Sequence, residues 1–388
     1  MPIEQIGVVG AGVMGSEIAH VVAGAGKRVV LRDVDEDALE RGLAHVRSLG
    51  ERAVRGGRMS RAEASALLAR IDPVTQDAAL AECDLVVEAV TERLEVKRDV
   101  FKRLDAAVKP EGILASNTSG LSITAIGRET GRPDQVIGLH FFNPASVMKL
   151  VEVIRGEDTS EATMQAGQAL ARELRKIPVP VVECPGFLVN RILVRAMAEA
   201  YRHAAEIGAS PITVDASVAV TGPAPMGPFA LGDLIGLDTM DHIQRDLRAA
   251  YGERFDDAGQ LAARVAEGRL GLKSGQGFFV GRAPRGSTSD EGREVARRYY
   301  LGALTEACLC LDESIAALPD IDLAMQLGTG WKVGPLAWAD QTGLRLLVAR
   351  LENLRRAAGE RFAPPAALLE RAAAGRRFHE DALAGVAA

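Results

Sequence analysis

Residues 3–33 read IEQIGVVGAGVMGSEIAHVVAGAGKRVVLRD. The apolar run from Ile3 to Val9 predicts a short strand that feeds Gly10-Ala11-Gly12-Val13-Met14-Gly15. Ile18, Ala19, Val21 and Val22 then give a helix its apolar face, and Arg28-Val29-Val30-Leu31 predicts a second strand ending at Asp33. A GxGxxG segment alone is a common glycine turn. Placed between a strand and a helix, with an acid closing the next strand, it predicts a dinucleotide-binding α/β unit. Gly10, Gly12 and Gly15 permit the tight turn, and with Val13 and Met14 they bring a pyrophosphate to a helix N-terminus, where free N–H groups and the dipole favour an anion. Asp33 would accept hydrogen bonds from the adenosine ribose. Its charge repels a 2′-phosphate, so NAD is expected rather than NADP. Strand alternation turns the neighbouring Arg32 to the other face.

Outward from this unit, residues 35–70 predict two helical segments dense in arginine (Arg41, Arg47, Arg52, Arg55, Arg58, Arg61, Arg70). They form either a solvated face or, with Arg52 and Arg55 as candidates, a set of cations for a phosphorylated ligand. Asp84-Leu85-Val86-Val87-Glu88-Ala89-Val90 reads as a buried parallel strand and leads through Thr91-Glu92 to a helix carrying Lys97. Ile113-Leu114-Ala115 delivers Ser116-Asn117-Thr118-Ser119 beyond its carboxyl end, where open α/β sheets bind ligands. Turn chemistry alone also enriches Ser and Asn there. Two strands follow, one ending at His140 and one, Leu150-Val151-Glu152-Val153-Ile154, containing Glu152. Across a sheet these two side chains can pair, the carboxylate fixing the ring tautomer and supporting the imidazolium. A core histidine beside an unrelated strand glutamate fits the spacing equally well. A helix over about 160–176 and the strand Val179–Val182 close the domain near residue 183.

With 388 residues, 47% apolar and 25% charged, the chain has the composition of a soluble protein of two to three domains. A net charge of −6 with interspersed signs argues against a general nucleic-acid binder. Cys83, Cys184, Cys308 and Cys310 form no CxxC pair, so buried thiols in a reducing compartment are expected, and no metal site. Without an apolar leader or an 18-residue apolar run, no membrane association and a cytoplasmic location are expected.

After Pro185-Gly186-Phe187 the chain turns to Ala- and Leu-rich helical patterns, and this half repeats itself. Arg191 matches Arg298, Glu199 matches Glu306, Asp215 matches Asp322 and Asp233 matches Asp340, while Gly252-Glu253-Arg254-Phe255 matches Gly359-Glu360-Arg361-Phe362, every pair offset by 107. One register held so long without a gap indicates tandem duplication of an all-helical unit. The copies diverge at Asn190, whose counterpart is Arg297, and at the end of the first copy: Lys273 lies in Gly271-Leu272-Lys273-Ser274-Gly275, whereas the second has Phe378-His379-Glu380-Asp381. The expected architecture is an α/β Rossmann-type doubly wound sheet (1–183) followed by two tandem all-α domains. These are a first helical domain (184–283), a linker (284–293) and a second, structural repeat (294–388).

Gly10–Gly15, Ser116–Ser119, His140-Phe141-Phe142-Asn143-Pro144, Leu150-Val151-Glu152-Val153 and Pro185-Gly186-Phe187-Leu188-Val189-Asn190-Arg191 together resemble the L-3-hydroxyacyl-CoA dehydrogenase family, in order and spacing. The duplicated helical part resembles the dehydrogenase half of bacterial fatty-oxidation multifunctional enzymes. With the first strand at residue 3, their upstream hydratase domain is not expected. The resemblance implies NAD-dependent oxidation of (3S)-3-hydroxyacyl-CoA to 3-ketoacyl-CoA, with His140 as base and Glu152 orienting it. It implies Ser119 and Asn190 on the substrate 3-oxygen, Asn143 beside the nicotinamide, and Asp33, Glu92, Lys97, Asn117, Ser119 and Lys273 at the cofactor. Two further readings stay open: a dehydrogenase of free or carrier-protein-bound 3-hydroxy acids, and a non-catalytic NAD-binding or docking subunit. The expected partner is an acyl-CoA substrate, with an enoyl-CoA hydratase or thiolase as candidate protein partners. The strict offset suggests a monomeric pseudo-dimer, with a homodimer as the alternative.

Overall fold

The computed structural model describes residues 3–379, so Glu380 and Asp381 lie outside the described residues. The chain divides into two compact units, Met1–Cys184 and Pro185–Ala388.

In the first unit, β1 (Gln5–Val9), α1 (Val13–Gly24), β2 (Arg28–Arg32), α2 (Glu36–Arg55), α3 (Arg61–Leu68) and β3 (Ile71–Val74) come first. Then follow β4 (Leu85–Glu88), α4 (Leu94–Ala107), β5 (Ile113–Ser116), α5 (Ile123–Gly127), β6 (Val136–Phe141), β7 (Leu150–Arg155), α6 (Glu161–Glu173) and β8 (Ile177–Val182). The eight strands form one sheet in the order β3-β2-β1-β4-β5-β6-β7-β8, parallel except for the β6–β7 pair. Ile6, Val8, Leu31, Leu85, Val87, Ala115, Ile137 and Val153 are fully buried, as strands covered on both faces require. Helix starts follow local chemistry. Asp35 caps α2 through the Ala38 N–H at 2.6 Å, and Ser60 with Glu63 makes a capping box on α3. Strand β3 was not evident in the sequence, because Asp72-Pro73 breaks its apolar pattern. An edge strand tolerates the missing N–H of Pro73, and the other edge, β8, likewise holds Pro178 and Pro180.

The second unit is all helical. Helices α7 (Val189–Ile207), α8 (Pro211–Thr221), α9 (Pro228–Ile235), α10 (Leu237–Tyr251) and α11 (Gln260–Ala266) form the first repeat. The second comprises α12 (Asp290–Asp312), α13 (Leu318–Thr329), α14 (Pro335–Thr342), α15 (Leu344–Ala358) and α16 (Ala366–Ala374). Helix α12 begins inside the stretch read as linker. Ser289 caps it through the Gly292 N–H at 2.9 Å, and Asp290 and Glu291 suit its positive end, so the polar run serves as a helix start. The repeats meet through reciprocal ion pairs. Arg191 (2.7 Å) and Arg254 (2.9 Å) reach Glu306, while their counterparts Arg298 (3.4 Å) and Arg361 (3.2 Å) reach Glu199. Such exchange of partners is the mark of an isologous, two-fold contact. The symmetry breaks where the fully buried Arg195 lies over its counterpart Gly302, at which an added Cβ would stand 3.3 Å from the Arg195 Nη1.

Asp215, in α8, accepts the N–H groups of Phe229 (3.0 Å) and Ala230 (2.8 Å) at the start of α9. Burial pushes its carboxyl up to about 7 against those two hydrogen bonds. A carboxyl raised on folding holds a proton that the unfolded chain has released, so stability is greatest below the unfolded value and falls as pH rises through the folded one. We expect the unfolding free energy to drop by up to about 4 kcal/mol between about pH 4 and 7. Urea titrations across that range should show the slope, and Asp215→Asn should flatten it. An unchanged slope in that variant assigns the proton elsewhere.

Candidate functional site

Three clusters lie at the carboxyl ends of the first unit's strands. The first is the glycine loop between β1 and α1. A Cβ on Gly15 would stand 1.7 Å from the Gly10 carbonyl oxygen, so only glycine allows the turn. A Cβ on Gly12 would meet nothing within 4 Å, which leaves open space in front of the loop. Helix α1 has no side-chain cap and no acid in its first turn, so its N–H groups are left for an anion. Val13 is exposed and Met14 half-buried beside them. Asp33 accepts the Ala11 N–H and the Val34 N–H, each at 2.6 Å, and so fixes the loop to the end of β2. An ionised carboxylate has about four acceptor sites, so capacity remains for ribose hydroxyls. Arg32 pairs with Asp77 at 2.7 Å and is nearly buried. The arrangement fits NAD.

The second cluster joins the ends of β4 and β5. Glu88 is fully buried, and its oxygens receive Lys97 Nζ (2.6 Å), the Ser116 hydroxyl (2.6 Å) and the Val90 N–H (2.7 Å). Lys97 also lies 3.3 Å from Glu92, which in turn accepts the Thr118 hydroxyl (2.6 Å), the Ser119 N–H (2.7 Å) and the Ser119 hydroxyl (3.0 Å). Burial opposes ionisation of Glu92, but Lys97 and these hydrogen bonds outweigh it and hold its carboxyl below the usual range. Lys97 is only 1% exposed and supports Glu92 from beneath. Glu88 and Ser116, which the sequence reading left unassigned, complete the support. A lone glutamate ending an apolar strand was the signal available. Lys97→Met strands two carboxylates, and we expect a loss of about 3–5 kcal/mol in denaturant unfolding. A near-neutral result would mean that water reaches Glu88.

The third cluster centres on His140. In the antiparallel β6–β7 register His140 stands directly opposite Glu152, and its Nδ1 lies 2.6 Å from Glu152 Oε2. Glu152 is fully buried and His140 7% exposed, with the Phe142 ring 4.5 Å from the imidazole. Asn117 ties β5 to this strand by accepting the Phe141 N–H at 2.9 Å. Asn143 is exposed in the loop that follows.

The remaining candidates lie on other elements. Arg52 and Arg55 are exposed in the last turn of α2, with Arg55 lying 3.8 Å from Glu51. Asn190 is in the first turn of α7, and Lys273 pairs with Asp238; both belong to the second unit. Among the described residues no helix is long and apolar enough to cross a membrane, and no His, Cys, Asp and Glu group is placed to hold a metal.

Comparison with known proteins agrees with this geometry. Residues 5–184 match the model of the 3-hydroxyacyl-CoA dehydrogenase NAD-binding domain. Residues 186–281 and 295–388 match that of the family's C-terminal domain. A probable 3-hydroxybutyryl-CoA dehydrogenase of Deinococcus radiodurans is 43% identical over 277 residues, covering 71% of this chain and 99% of its own length. The fatty acid oxidation complex subunit alpha of Psychrobacter sp. (strain PRwf-1) is 34% identical over 408 residues. That match covers 98% of this chain, which spans only 56% of that relative. The crystal structure of 3-hydroxybutyryl-CoA dehydrogenase from Escherichia coli K12 superposes with a TM-score of 0.90 at 31% identity, covering 96% of this chain and 99% of the other. The chain belongs to the 3-hydroxyacyl-CoA dehydrogenase family, and its cofactor is NAD.

Proposed function

We propose that the protein oxidises a (3S)-3-hydroxyacyl-CoA to the 3-ketoacyl-CoA, reversibly and with NAD. The observation that carries this reading is the 2.6 Å contact between His140 and the buried Glu152 in the same sheet as the glycine loop. With Nδ1 committed to Glu152, Nε2 of His140 takes the substrate's hydroxyl proton as the alcohol becomes a ketone. Bound NAD supplies the hydride acceptor. Ser119 and Asn190 hold the 3-oxygen, Asn143 and Lys273 contribute to cofactor binding, and Arg52 and Arg55 are candidates for the CoA phosphates. The relatives named for 3-hydroxybutyryl-CoA and for fatty acid oxidation support a thioester substrate. Mixing the protein with NADH and acetoacetyl-CoA and following NADH absorbance tests the reading. Equal or faster turnover of free acetoacetate would replace it with a dehydrogenase of free acids, and no turnover would leave a binding subunit.

The second helical repeat, from about residue 294, we read as structural, with 184–283 as the catalytic helical domain and the intervening residues as their connection. The reciprocal Arg–Glu pairs support a pseudo-dimer within one chain, hence a monomer in solution. Relatives named as subunits of a fatty acid oxidation complex support association with a partner subunit, and co-purification with a hydratase or thiolase tests it.

A further inference from the structure

The loop that follows His140, residues 142–149, is held from below by two charged side chains that the mechanism above does not use. Glu17, in the second turn of α1, is only 3% exposed. Its Oε2 accepts the Ser146 N–H at 2.7 Å, and its Oε1 lies 3.5 Å from His45 Nε2 on α2. Lys176, just before β8, donates from Nζ to the carbonyls of Ala145 (2.5 Å) and Met148 (2.8 Å). One loop thus receives a carboxylate on its N–H and an ammonium on two of its carbonyls. Burying charges is costly unless they are paired and hydrogen-bonded, so such an arrangement persists where the groups it binds are fixed in place. Burial draws the Lys176 ammonium below its usual value, and the charge of Glu17 offsets part of that. His20, one turn further along α1, faces the same cluster of Glu17, His45, Arg52 and Lys176.

The two ends of this clamp belong to different parts of the chemistry. Helix α1 opens at the glycine loop that receives the dinucleotide. The loop held through Ser146 leaves β6 after Phe141, one residue past His140. We propose that Glu17, with Lys176, is a positioning residue that fixes the histidine strand end against the cofactor helix, so that base and hydride acceptor keep their register. The inference rests on the dehydrogenase reading above, and its test has one arm that does not.

The experiment compares Glu17→Ala, Glu17→Gln and Lys176→Met in the full chain. Glutamine keeps an acceptor for the Ser146 N–H, whereas alanine keeps none. Displacements well below the size of a residue cost large factors in rate, so Glu17→Ala should lower kcat by about 10-fold or more while NADH binding changes by less than about threefold. Glu17→Gln should recover most of that loss, and Lys176→Met should fall on the same side as alanine. Peptide-level hydrogen exchange supplies the independent arm: residues 142–149 should lose protection in the alanine and methionine variants and keep it in the glutamine variant. Wild-type kcat together with unchanged exchange in both Glu17→Ala and Lys176→Met overturns the proposal, whatever their melting temperatures. If wild-type protein does not turn over acetoacetyl-CoA, the dehydrogenase reading fails. The exchange result still decides whether the clamp exists.

Discussion

Replacing His140 by glutamine should lower kcat by about 10²–10⁴-fold, the usual contribution of a general base. Glutamine fills a similar volume and can donate to Glu152, so the buried carboxylate is not left without a partner and the sheet should hold. It cannot take up a proton in the working pH range. The glycine loop, Asp33 and the Ala11 N–H bond that fixes them lie in other elements, so NADH affinity should stay within a few-fold of wild type. Steady-state turnover with acetoacetyl-CoA beside a fluorescence titration of NADH separates the two effects. Near-normal turnover would remove His140 from the role of base and return it to the core-histidine reading.

Removing residues 287–388 should turn a well-behaved protein into one that self-associates or precipitates. The deletion strips α12 from α7, which buries Arg191, Arg195, Met197 and Tyr201 along its length. It also takes away Glu306 and Glu313, the partners of Arg191 at 2.7 Å each. Leaving one member of a buried ion pair unpaired costs about 3–5 kcal/mol, and the truncation does this at Arg191 while exposing apolar surface as well. Sedimentation analysis of the truncated protein reads the outcome directly. A soluble truncated monomer would mean that the second repeat is dispensable to the first. A soluble truncated dimer would fit a pair of first repeats restoring the contact in trans.

What could be read in advance divides along physical lines. The glycine loop, the acid closing β2 and the alternation of apolar residues are local signals, and the first α/β turn was legible from them. The 107-residue offset revealed the duplication because identical residues need no structural interpretation. The pairing of His140 with Glu152 was open on spacing alone, since register across two strands depends on the turn between them and on both neighbours. The burial of Lys97 was hidden for the same reason. A lysine on an amphipathic helix looks exposed until the fold brings Glu88, at the end of β4, and Glu92, in the turn that follows it, to either side of the ammonium. Glu17 carried no signal, because the segment that it holds lies 129 residues away. The onset of α12 at Asp290 was hidden by composition, since the residues that cap a helix also make a flexible linker.

The reciprocal arginine–glutamate contact has a consequence for how this protein responds to change. In a two-fold homodimer every substitution is made twice, and a residue that suits one half of the contact is imposed on the other. Here the two halves are separate stretches of one chain, so each side varies alone. Gly302 opposite Arg195, and Arg297 at the position corresponding to Asn190, are each present on one side only. Linkage also removes the dependence on concentration: the halves face each other at a local concentration set by the chain, so dilution cannot separate them. A single-repeat dimer would lose its contact at low abundance, whereas this chain carries its own partner.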